Sequence, residues 1–212
     1  ALSIQTDGGG YNTAIGNFTL DNNGIGDKNV AVGYVALSQN SSGSKNVGVG
    51  YSALMLNSTG GSNTSLGDNS LYSNTSASYN TAIGAEALYD AARTADTDGY
   101  NTALGYNAGN TGTNDITTGN KNTLLGASTA ASAAAATNQT VIGFGASGTV
   151  NNSVTIGNSS VTAWYPGSDD TADLGSSSVE FKDLYIDGTA NLDAVDIDGG
   201  AIDGAAIGAN SA

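Results

Sequence analysis

The sequence predicts an all-β fold, a parallel β-roll or β-solenoid of about nine coils, and three observations predict it. A five-residue motif ending in glycine recurs at a near-constant spacing. Its larger side chains alternate with a period of two. Extra residues enter the repeat at one place only. Regular spacing of this length marks a solenoid, and a period of two marks strands rather than helices.

The motif reads Asn-Thr-Ala-Ile-Gly at Asn12 to Gly16 and again at Asn80 to Gly84. Variants close at Gly33, Gly50, Gly67, Gly105, Gly126, Gly143 and Gly157, so successive copies lie 17, 17, 17, 17, 21, 21, 17 and 14 residues apart. A second motif follows several of these glycines, as in Tyr34-Val-Ala-Leu37, Tyr51-Ser-Ala-Leu54 and Ala85-Glu-Ala-Leu88. One coil is therefore expected to hold two short extended pieces and a polar return rich in Asn, Ser, Gly and Thr. Both 21-residue steps lengthen only that return, at Tyr89 to Tyr100 and at Asn110 to Lys121.

Alternation gives each strand two faces. One carries Thr or Val followed by Ile15, Val32, Val49, Leu66, Ile83, Leu104, Leu125, Ile142 and Ile156. Large branched residues suit a pleated, buried surface, so this face is expected to form the core of the roll. The other carries Ala14, Ala31, Gly48, Ser65, Ala82 and Ala103, then Leu124, Val141 and Thr155. Its six small residues are expected to meet a neighbouring chain. A coil with so few large apolar residues barely offsets the entropy of ordering it, which points to an oligomer.

Composition removes several kinds of chemistry. The 212 residues include 31 Gly, no Cys and no His, and five Lys plus Arg against nineteen Asp plus Glu give a net charge of −14. Histidine-based triads and thiolate metal sites are absent from the chain. A chain this acidic is not expected to coat nucleic acid, which calls for clustered cations. No run reaches the roughly 18 apolar residues of a membrane-spanning helix, so no membrane insertion is expected.

The repeat over residues 11–160 resembles the head repeats of YadA-type trimeric autotransporter adhesins. Asn152-Ser-Val-Thr-Ile-Gly157, at the end of the 14-residue step, is the nearest match. The resemblance implies a side-by-side homotrimer of β-rolls.

Composition shifts after Ser160. The Trp and the Pro stand together in Trp164-Tyr-Pro166, followed by Asp173-Leu-Gly-Ser-Ser-Ser178 and Phe181-Lys-Asp-Leu-Tyr185. This segment is similar to one found in bacteriophage tail fibres. From Ala190, Leu192, Ile197, Ile202 and Ile207 recur every five residues among Asp and Gly. The organisation expected is β-roll repeats at 1–160, a tail-fibre-type connector at 161–187, and a short extended, triple-stranded fibrous stem at 188–212. Together the resemblances imply a structural and adhesive trimeric fibre segment without catalysis. The first expectation is the shaft of a phage tail fibre, in the virion or at an extracellular surface, supporting attachment to a host glycan or protein receptor. The head of a bacterial adhesin is the alternative, and a glycan-cleaving tail spike stands third.

Candidate sites are few. Tyr34, Tyr51 and Tyr106 share one coil position and, with Trp164, could stack on sugars, although cross-coil packing explains the tyrosines more simply. Asp196, Asp198 and Asp203, with Asp193, could gather Ca²⁺ oxygens around a symmetry axis, but solvated acids explain them as well, and no cofactor is expected. Asp169 and Asp170 beside Trp164, and Glu180, are the carboxylates a hydrolase would use, and an acidic turn is the simpler reading. Lys28, Lys45 and Lys121 each precede a motif Asn and are expected to face Asp of the next coil.

Overall fold

The computed structural model describes residues 10–91, 98–165, 174–176 and 178–187. The chain divides into two units, Ala1–Ala163 and Trp164–Ala212. The first is a parallel β-solenoid. Its strands are β1 (Thr13–Ile15), β2 (Val30–Val32), β3 (Val47–Val49), β4 (Thr64–Leu66), β5 (Thr81–Ile83), β6 (Thr102–Leu104), β7 (Thr123–Leu125), β8 (Gln139–Ile142) and β9 (Ser153–Ile156). They form one sheet in sequence order, each strand pairing in parallel with the next. Register follows the repeat, so Ala14 pairs with Ala31, Ala31 with Gly48 and Gly48 with Ser65. All nine motif copies are strands.

The two faces are the reverse of the expectation. Ala31, Ser65, Ala82 and Ala103 are fully buried within the one chain, and so are Leu124 and Val141. Ile15 is 60% exposed, Leu66 45% and Leu104 43%; Leu125 and Ile156 are also exposed, while Val32, Val49, Ile83 and Ile142 are only half-buried. The assigned roll core therefore lies outside, and the assigned chain interface lies inside, with Ala14 packed against the core at its first coil. The cause is the second motif. Leu20, Leu37, Leu54, Leu71 and Leu88 are fully buried opposite the sheet. A Cβ placed on Gly48 would stand 2.9 Å from Leu37 Cδ1, so these leucines leave room only for small strand residues.

The second motif is not extended either. Val35, Leu37, Ser52 and Leu54 have φ values from 50° to 54°, in the left-handed region. Each such residue costs roughly 1–2 kcal/mol. Hydrogen bonds to adjoining coils offset this: Val35 N–H donates to Asn17 O at 3.0 Å, and Leu37 N–H to Ala53 O at 3.0 Å. The motif glycines close the strands where coils nearly touch. Gly33 has φ 136°, and a Cβ there would lie 2.3 Å from Gly50 O.

The motif asparagines form an internal ladder that the sequence reading did not foresee. Asn46 N–H donates to Asn29 Oδ1 at 2.9 Å, and Asn63 N–H donates to Asn46 Oδ1 at 2.9 Å. The side-chain amides of Asn12, Asn29, Asn46, Asn63, Asn101 and Asn122 also donate to loop carbonyls, as Asn46 Nδ2 does to Gly60 O at 2.8 Å. The ladder runs from Asn12 to Asn122 and ends on Gln139, whose N–H donates to Asn122 Oδ1. A second ladder links Asn23, Asn40, Asn57 and Asn74 through their side chains.

In the second unit, Ser176 and Val179 form an antiparallel bridge with paired backbone hydrogen bonds. The proposed stem at 188–212 lies outside the described residues.

Candidate functional site

A long surface feature of the described residues is the outward face of the sheet. It presents two parallel ranks of side chains, the first and third residues of β1 to β7 and the second and fourth of β8 and β9. Every one of these is Thr, Val, Ile or Leu. No charged side chain interrupts them over nine strands, about 40 Å at the usual strand spacing. A regular, partly exposed face of Thr and aliphatic side chains of this length is unusual on a lone soluble domain.

Aromatic side chains form short columns along the coil edges. Tyr34 and Tyr51 stack with centroids 5.3 Å apart, and Phe18 meets Tyr34 edge-on at 5.9 Å. Tyr106 shares their coil position but is separated from Tyr51 by Asp68 and Ala85, so the anticipated ladder of three is a pair and an isolated ring. Two other stacks were missed: Tyr72 on Tyr89, 4.9 Å apart and 2° from parallel, and Tyr79 on Tyr100, 5.0 Å apart. Their signal was legible, since Tyr72 and Tyr89 each follow a buried leucine and Tyr79 and Tyr100 each precede a motif Asn.

Charged candidates are dispersed. Lys28 pairs with Asp27 of its own coil at 3.1 Å rather than with an Asp of the next. Hydrogen bonds from Lys28 and then Ser44 hold the half-buried Asp27 carboxyl below its ordinary range. Glu180 and Trp164 are exposed in the second unit. Asp169 and Asp170 lie outside the described residues, as do Asp193, Asp196, Asp198 and Asp203. Among the described residues no three acidic side chains are grouped to hold a metal ion, and no helix is long and apolar enough to cross a membrane.

A cleft of about 350 Å³ opens beside the turns that follow β4, β5 and β6, lined by Asn69, Glu86, Tyr89, Asp90, Asn110, Gly112 and Asp115. Burial raises the Asp90 carboxyl above its ordinary range, and the Asp115 charge adds to the effect. Burial also raises the Tyr89 hydroxyl, helped by Tyr72, Asp90 and Glu86.

Comparison of the chain with family models, curated proteins and solved structures finds no match in any of the three. What is established is the class of architecture, an all-β parallel solenoid built from a degenerate repeat.

Proposed function

We propose that the chain is a structural and adhesive fibre segment that works as a homotrimer of side-by-side rolls, in the manner of a phage tail-fibre shaft supporting host attachment. The single observation that carries this reading is the uncharged Thr, Val, Ile and Leu face running the length of the sheet. Such a face is costly in water, and sister copies presenting the same face can bury it by symmetry. The stacked coils, paired in register one after another, fix its length, which suits a shaft. The role calls for no catalysis, and it places the protein at a virion or extracellular surface.

Light scattering on the purified chain tests the reading. A mass three times that of the 20.8 kDa chain is expected at micromolar concentration. A monodisperse monomer would overturn it.

A further inference from the structure

The cleft beside β4 to β6 occupies a vacated place in an aromatic column. Met55, Tyr72, Tyr89 and Asn110 each stand fifth after a closing glycine, so they succeed one another along the solenoid. Tyr72 and Tyr89 stack in parallel at 4.9 Å, one coil apart. The next position carries the small amide of Asn110 instead of a third ring, and the cleft lies there with Tyr89 in its wall.

The far wall exists because coil six, like coil five, is four residues longer than the first four coils. Its extra residues form a loop closed where Ile116 N–H donates to Gly109 O at 3.0 Å, with Ile116 itself fully buried as an anchor. Asp115 Oδ1 accepts the Gly112 N–H at 2.7 Å and also that of Thr111, which braces the loop internally. The wall is therefore preformed, as ligand clefts generally are.

We infer that this cleft binds one uncharged pyranose sugar, whose flat C–H face takes the place of the missing ring against Tyr89. The lining decides the class. Glu86, Asp90 and Asp115 only accept hydrogen bonds when ionised, and Asn69 and Asn110 supply amides. A ligand rich in donors satisfies them, and sugar hydroxyls around a flat ring are such donors. A bare aromatic ring offers no donor to Glu86 and Asp90, whereas Asp115 is already held by its own loop. Uronic and sialic acids are repelled by the same three charges. The site lies within one chain and stands whether or not the chains assemble.

The test is an NMR titration of the isotopically labelled full chain with methyl glucoside, galactoside, mannoside and N-acetylglucosaminide, and separately with glucuronate. At least one neutral sugar should move the Gly112 and Asn110 resonances along a saturating curve, and glucuronate should not. Tyr89→Ala should weaken that binding by about tenfold, and Tyr89→Phe should keep it within about threefold. Asn110→Tyr, which fills the vacant place, should abolish binding while the thermal melt shows a folded chain. No response to any neutral sugar, an equal response to glucuronate, or unchanged binding by Asn110→Tyr would overturn the assignment.

Discussion

Asn46 shows how much one polar residue does in this fold. Its side chain receives the Asn63 N–H and donates to Gly60 O, both away from solvent. Asn46→Ala leaves a buried donor and a buried acceptor unpaired, each costing roughly 1–3 kcal/mol. A fall in unfolding free energy of about 2–6 kcal/mol is expected by urea denaturation. Asp90 is a milder case with the opposite sign. Its folded carboxyl holds a proton more tightly than the unfolded one, so the ionised form is a cost at neutral pH. That cost fades as pH falls through the raised folded value and is gone below the ordinary value of 3.8. Asp90→Asn should therefore raise the melting temperature at neutral pH and leave it unchanged in acid. Solvent screening keeps the gain under about 1 kcal/mol.

The elements exchange volume across the narrow interior. In the first five coils a leucine of the second motif faces a small strand residue, or leaves space for one. In coil six the leucine position becomes Gly109, and in coil seven the strand residue becomes Leu124. A Cβ on Gly109 would stand 2.8 Å from Leu88 Cδ2 and 2.9 Å from Leu124 Cδ1. Gly109→Leu alone should destabilise by roughly 1–3 kcal/mol through overpacking. Adding Leu124→Ala should recover only the share due to Leu124, since the Leu88 contact and the left-handed backbone at Gly109 (φ 74°) remain, and the double-mutant coupling should be about 1 kcal/mol. The nine strands were legible in the sequence because a glycine-closed motif at constant spacing admits little else. Their orientation was not. Alternation defines two faces but does not say which is inside, and the assumption that larger residues go inward failed because Leu37 and its counterparts already fill the interior.

For the whole molecule, the outward sheet face is the expected surface of association. Val49→Lys, Leu66→Lys and Leu104→Lys together place three cations on it without touching the buried set. The triple variant should sediment as a monomer and keep the circular dichroism of a β-solenoid. By contrast, Ala82→Leu, aimed inward, should lower the melting temperature of a single roll. A trimeric triple variant would refute the assignment of that face. The sequence by itself determined the strand number, the strand positions, the register and the place of each insertion, because all of these follow from a one-dimensional period. Only the tertiary structure decided which face is buried, where the asparagines find partners, and that Asn110 leaves a cleft beside Tyr89. Those outcomes depend on what each residue meets one coil away and across the interior, and neighbours of that kind are set by closing the coil.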